Sequence, residues 1–216
     1  MRRPDKNSIV YFQRNIITWG RKHFKEFPWR MTENKWHALV AEIMLQRTRA
    51  EQVIETYNRF LKEYSTPKDY IEKGCPQIFT TLGLKWRNTE LAKLAKNLAF
   101  RDIPTTKRGL TDLPGVGDYI ASAFLSLHVG EREYIVDSNV VRIYGRYFGF
   151  ETGGETRRKK WLIELADELT PKRVFRDYNY GIIDFTKEIC KPRAACDICP
   201  IRKHCIYYTR KAVKND

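Results

Sequence analysis

LPGVGDYIASA, running from Leu113 to Ala123, decides how the rest of the chain is read. Glycine at 115 and 117 lets the backbone take left-handed dihedrals and leaves its amides unshielded. Pro114 stiffens the entry. Ile120, Ala123, Phe124 and Leu127 follow at helical spacing, so a helix begins straight after the turn. Its first N–H groups are free and carry the positive end of the helix dipole. The preceding GLTDL also reads as helical, so the unit is a helix–hairpin–helix. Such a turn is an anion site made almost wholly of main chain. It is not a P-loop, which needs four residues between its glycines and a lysine after them. It is not a dinucleotide fingerprint either, since no strand precedes it. The plain alternative is a tight turn between two helices.

Bulk composition favours the anion site. Forty Lys and Arg stand against 26 Asp and Glu in 216 residues, a net charge of +14. A polyanionic partner, nucleic acid above all, suits that balance. A hairpin that grips a phosphate touches backbone only and is indifferent to base sequence. Hydrophobic content of 42%, with 13% aromatic, suits a globular fold rather than disorder. There is no apolar run long enough for a membrane span, and MRRPDKNSIV lacks the apolar core of a signal peptide. The expectation is a monomeric protein of prokaryotic type, cytoplasmic and nucleoid-associated, with no membrane partner.

Helical periodicity runs outward from the hairpin in both directions. Ile9, Phe12, Ile16 and Trp19 form one stripe, with Ser8 placed as N-cap. FPWR, Phe27 to Arg30, breaks it. Trp36, Leu39, Val40, Ile43 and Met44 form the next stripe, then Val53, Tyr57, Phe60, Leu61 and Tyr64, then Leu91, Leu94, Ala95 and Leu98. EYIVD, Glu133 to Asp137, reads as a short extended piece. Helices resume at SNVVRIYGRYFGF, from Trp161 to Leu169 and from Tyr178 to Cys190. No sustained alternation appears, so the fold class is all-α. Two helical lobes are expected, 27–130 and 1–26 plus 131–216, with a ligand groove between them.

Cys190, Cys196, Cys199 and Cys205 lie within 16 residues, spaced C-x5-C-x2-C-x5-C. In a reducing compartment such a group reads as a metal site rather than as disulfides. Zinc ribbons carry two C-x2-C knuckles on a longer loop, whereas one knuckle in a tight wrap suits a [4Fe–4S] cluster. Lys191, Arg193, Arg202, Lys203 and His204 crowd the same loop, a second candidate DNA contact. Cys75 stands apart and reads as a small half-buried residue.

Together these stretches resemble the helix–hairpin–helix DNA glycosylases, the superfamily of endonuclease III and the MutY adenine glycosylases. LPGVGDYIASA is similar to the family's hairpin, IVDSNVVRIYGR to the segment carrying its catalytic aspartate, and AEIMLQRTRAEQV with FPWR to the N-terminal features of the MutY-like branch. The cysteine tail is similar to its cluster loop, although the family usually has six residues between the first two cysteines and this chain has five. The resemblance spans Trp19 to Cys205. It implies base excision from double-stranded DNA carrying a mismatched or damaged base. The sequence runs only from Cys205 to Asp216 after the last cysteine, which implies absence of the further domain with which MutY enzymes recognise 8-oxoguanine.

The resemblance also assigns residues. Asp137 is implied as the catalytic carboxylate, stabilising positive charge on the sugar and positioning water; helix capping is its bland alternative and does not exclude catalysis. Glu42, off the apolar stripe of its helix, is implied to contact the flipped base. Bifunctional relatives place a lysine at the position of Tyr119. Tyrosine cannot form the imine of a lyase, so a monofunctional enzyme is implied. Tyrosine there is also what thymine-mismatch glycosylases of the Mig type carry. They share stretches like Arg146-Tyr147-Phe148-Gly149 and Asp184-Phe185 up to Ile189-Cys190. The DNA-contact set is Leu113, Gly115, Val116 and Gly117 in the hairpin, Gln46 and Arg47 in LQRT, the wedge Leu84-Lys85-Trp86-Arg87, and Lys191 with Arg193. Arg47 suits the acceptor-rich edge of guanine or a phosphate; Trp86 stacks on bases or belongs to a core. Three functions remain open at this point: removal of thymine or uracil opposite guanine, removal of adenine by a shortened MutY type, and DNA binding without catalysis.

Overall fold

The computed structural model describes residues 4–83 and 85–213. Among them every regular element is helical, as the absence of alternation predicts. The α-helices are α1 (Lys6–Lys22), α2 (Lys35–Met44), α3 (Ala50–Glu63), α4 (Pro67–Glu72), α5 (Trp86–Leu98), α6 (Lys107–Thr111), α7 (Asp118–Phe124), α8 (Ser138–Phe148), α9 (Lys160–Leu169), α10 (Phe175–Glu188) and α11 (Ile206–Val213). No helix among the described residues is long and apolar enough to cross a membrane. The chain divides into two compact units, Met1–Phe24 with Arg132–Asp216 and Lys25–Glu131, against sequence-read breaks at 26/27 and 130/131.

The Lys25–Glu131 unit is built on α2, where Trp36 through Met44 are all buried. Asn34 caps this helix, accepting from the amides of Trp36 at 2.9 Å and His37 at 3.2 Å. Two of the orphan N–H groups of the first turn are thereby satisfied. FPWR forms a 3₁₀ turn rather than an extension of a helix. Phe27 stacks on Trp29 with centroids 4.9 Å apart, and Trp29 meets Tyr57 edge-on at 5.6 Å. Trp36 packs toward Phe60 and Tyr70. Truncating a buried ring of this kind to alanine costs about 3–5 kcal/mol. α7 does not run on as an α-helix. It passes into a π-helical turn, Leu125–Val129, closed by Gly130 at φ 89° with its N–H on the Leu125 carbonyl at 3.0 Å. The extra residue of that turn shifts the register of everything beyond Leu125.

In the other unit, the Ile9/Phe12/Ile16/Trp19 stripe of α1 is buried as its spacing predicts. Phe12 meets the rings of Tyr144 and Tyr147 on α8 at 5.9 Å and 4.7 Å. α1 and α10 touch backbone to backbone: a Cβ on Gly20 would lie 2.6 Å from the Gly181 Cα. Two sequence expectations need correction. The N-cap of α1 is Asp5, whose carboxylate accepts the Ser8 N–H at 2.9 Å; Ser8 sits inside the first turn. A full negative charge at the positive helix end outcompetes a hydroxyl. EYIVD forms no strand among the described residues. Side chains hold this segment instead. Arg132 donates to Asp167 Oδ1 at 2.7 Å and to the Thr170 carbonyl, and Asn179 donates to the Glu133 carbonyl at 2.9 Å.

Candidate active site and nucleic-acid contacts

The hairpin joins α6 to α7. Thr106 caps α6 through the Gly109 amide, and the turn closes with the Val116 N–H on the Leu113 carbonyl at 3.2 Å. The two glycines do different work. Gly115 takes the left-handed conformation, φ 74°. Gly117 is extended, φ −93° and ψ 176°, which any residue can adopt, and nothing lies within 4 Å of where its Cβ would be. The backbone at Gly117 therefore does not itself require glycine. Among the described residues, the N–H groups of Gly115 and Gly117 have no acceptor. The side chains of Leu113 and Val116 are buried, so only their main chain can meet a ligand, as the backbone reading of the hairpin expects. Tyr119, in the first turn of α7, is half-buried.

Asp137 caps α8 and is itself held from three directions. Oδ1 accepts the amides of Asn139 at 2.9 Å and Val140 at 2.7 Å, and Oδ2 accepts Asn139 Nδ2 at 2.7 Å. Asn139 is fixed in turn by Arg142, which donates to its Oδ1 at 2.7 Å. The same guanidinium donates to the carbonyls of Thr186 at 2.9 Å and Cys190 at 3.0 Å. One turn on, Arg146 donates to the carbonyls of Lys191 at 2.7 Å and Pro192 at 2.8 Å and lies over the Tyr207 ring. A polar chain thus runs from the half-buried Asp137 carboxylate along α8 to the first cysteine. Sequence reading missed Asn139, Arg142 and Arg146 as supports. Their signal was the i, i+4 pair of arginines on a helix opened by an aspartate.

Glu42 lies on α2 in the other unit, 4% exposed. Its Oε1 is 2.9 Å from Nε2 of His128, whose side chain is as buried as that of Glu42. His128 is the second residue that sequence reading missed. It lies in an apolar run, ASAFLSLHV, and the π-helical turn sets where it points. Burial pushes the nearby Tyr57 phenol well above its usual value, and the Glu42 charge adds to that. After α2 the chain turns through half-exposed Gln46 and exposed Arg47. Arg47 sits at φ 56°, a left-handed conformation that costs a side-chain-bearing residue about 1 kcal/mol or more.

The expected wedge divides. Leu84 lies outside the described residues. Lys85 is exposed, and Trp86 is 59% exposed, which removes the core reading of that tryptophan. Arg87 requires a correction. It is 1% exposed, and its Nη1 donates to the Ile43 carbonyl at 2.6 Å. Burial and then the Arg47 charge bring its guanidinium down to about 10. Arg87 braces the end of α2, one residue from Glu42, and does not present to DNA. Lys191 and Arg193 are exposed.

None of the five cysteines is paired in a disulfide. Cys190, Cys196, Cys199 and Cys205 line one cavity with Arg146, Tyr207 and apolar side chains. Arg146 Nη1 is 3.6 Å from Cys190 Sγ. Burial pushes the Cys190 and Cys205 thiols up and takes Cys199 up to about 12. Among the described residues no three side chains converge on one point as ligands of a single ion. Four thiols around one cavity with a guanidinium at its wall suit a multi-iron group.

Residues 40–178 match the family of HhH-GPD superfamily base excision DNA repair proteins. This chain belongs to the HhH-GPD superfamily. The matched span takes in Glu42, the hairpin and Asp137 and stops short of the cysteines, so the cluster loop rests on its own residues. A thymine-DNA glycosylase of Aeropyrum pernix is 36% identical, over 94% of this chain and 97% of its own length. A thymine/uracil-DNA glycosylase of Methanothermobacter thermautotrophicus is 35% identical, over 92% and 94%. The solved structure of a thermostable thymine-DNA glycosylase superposes with a TM-score of 0.87 at 33% identity, covering 94% of this chain and 98% of that one. Adenine DNA glycosylases match at lower identity.

Proposed function

We propose that this protein is a monofunctional DNA glycosylase that removes thymine or uracil mispaired with guanine. The observation that carries the reading is similarity to thymine and thymine/uracil glycosylases along nearly the whole of both chains. The bare amides of Gly115 and Gly117 receive a phosphate, which fixes register without reading sequence. Lys85, Lys191 and Arg193 add charge along the backbone, Trp86 offers a stacking face, and Arg47 reads the orphaned guanine. The target nucleotide leaves the stack, because its glycosidic bond cannot be reached inside a duplex.

In the chemical step the C1′–N1 bond breaks and its electron pair leaves with the pyrimidine. The sugar becomes oxocarbenium-like. The Asp137 carboxylate, fixed by three N–H donors, stabilises that charge without having to reorganise. Water adds to C1′ and loses a proton, the departing base gains one, and an abasic sugar remains. Tyr119 offers no amine to form an imine, so the strand stays intact. Glu42 faces the base. Cys190, Cys196, Cys199 and Cys205 would hold a [4Fe–4S] cluster, whose bonds would cross-link the loop that bears Lys191 and Arg193.

Duplexes holding T·G, U·G or A·8-oxoguanine, treated with the protein and then with alkali, test this reading. Cleavage at thymine and uracil is expected, and only after alkali. Cleavage confined to the adenine strand overturns it.

A further inference from the structure

The contact between His128 and Glu42 has a direction that the geometry fixes. His128 Nδ1 is buried and has no hydrogen-bond partner among the described residues. If Nε2 were the acceptor, or if the ring were charged, Nδ1 would carry a buried proton with nothing among the described residues to receive it. An orphaned buried donor is among the costlier defects in a fold. With the proton on Nε2, Nδ1 presents only a lone pair, and the 2.9 Å contact is an N–H donated to the Glu42 carboxylate. Glu42 Oε2 has no partner among the described residues and is not one of the fully buried orphaned atoms. One carboxylate oxygen is therefore committed to His128, and the other is open.

We propose that His128 is a specificity-determining positioning residue that holds Glu42 as a pure acceptor, so that the pocket selects bases presenting a ring N–H. This rests on the reading above in which Glu42 faces the base. Thymine and uracil carry such a donor at N3, between two carbonyls. Adenine has no ring N–H on its pairing edge, and its glycosidic bond is labile chiefly when a ring nitrogen is protonated. An N–H donated to a carboxylate favours its ionised, acceptor form over the protonated one, and only the protonated form could supply a proton to adenine. The element that delivers His128 is the π-helical turn Leu125–Val129. The Phe124 ring lies 6.2 Å from the imidazole, and Arg87 braces the carbonyl of Ile43, the residue after Glu42.

The test compares wild type, His128→Leu and His128→Gln in single-turnover excision from T·G, U·G and A·G duplexes, so that only the target base changes. Leucine removes the donor, and glutamine keeps an N–H within reach. His128→Leu is expected to slow thymine and uracil excision about tenfold to a hundredfold, the worth of one hydrogen bond to a charged group. It should also raise the A·G to T·G ratio, which a loss of packing alone would leave unchanged. His128→Gln should restore most of the rate and the wild-type ratio. If the leucine variant does not fold, His128→Asn, whose donor falls one bond short, replaces it: loss with asparagine and retention with glutamine supports the proposal, and equal rates overturn it. An unchanged ratio in a folded His128→Leu protein overturns it while leaving the function standing. A wild type that excises only adenine overturns the function itself and this inference with it.

Discussion

In the function proposed above, Tyr119 and Arg47 carry the discriminating chemistry at the scale of single residues. Tyr119 occupies the first turn of α7, directly behind the bare hairpin. Replacing its phenol with an amine supplies the nucleophile a lyase needs. Tyr119→Lys is expected to give a borohydride-trapped covalent adduct with an abasic or mismatched duplex, and wild type none. No adduct from the lysine variant would place the side chain away from the reacting sugar. Arg47 stores backbone strain at φ 56°. Arg47→Gly should stabilise the fold by up to about 1 kcal/mol in chemical denaturation and still lose mismatch excision, whereas Arg47→Ala should lose excision without the gain. Excision that survives in the glycine variant would mean that the guanidinium reads nothing. That Asp137 opens a helix and that the four cysteines gather around one cavity were legible in the sequence, because both patterns are local. His128 and Arg87 were not. A histidine in an apolar run looks like a core residue, and an arginine next to an exposed tryptophan looks like surface. Only the π-helical register and the burial of Arg87 reverse those readings.

Among elements, the hairpin separates two uses of glycine. Gly115 needs its freedom for φ 74°, and a Cβ there would also press on Glu90 at 3.2 Å. Gly117 needs neither. Gly115→Ala should therefore cost about 1 kcal/mol of stability or more. Gly117→Ala should leave the melting temperature unchanged and weaken duplex binding. Unaltered affinity of Gly117→Ala, read by fluorescence anisotropy, would show that no phosphate approaches that amide. Apolar stripes located the helices well, because each has one buried face whose spacing survives in the sequence. Ends were read less well. Asp5 and Ser8 are both good caps, and only the fold decides which one stands at the helix mouth. EYIVD has the composition of a strand but no neighbour to pair with among the described residues, so Arg132 and Asn179 hold it by side-chain bonds.

For the whole molecule, a charge of +14 and a four-cysteine loop bear on how DNA is held. Affinity for a duplex should fall steeply and linearly in log–log terms as salt rises. The native protein should carry iron and sulfide and absorb near about 400 nm. Cys199→Ser should lose both the colour and part of the duplex affinity, and stoichiometric zinc in place of iron would contradict the cluster. The central claim, hydrolysis driven by a fixed carboxylate, meets its most direct test at Asp137. Asparagine caps a helix as well as aspartate does, so Asp137→Asn keeps an oxygen for the Asn139 and Val140 amides and removes the charge together with the bond from Asn139 Nδ2. Single-turnover excision from a T·G duplex should fall by at least about a hundredfold with binding retained. An asparagine variant that excises thymine at the wild-type rate would contradict the account.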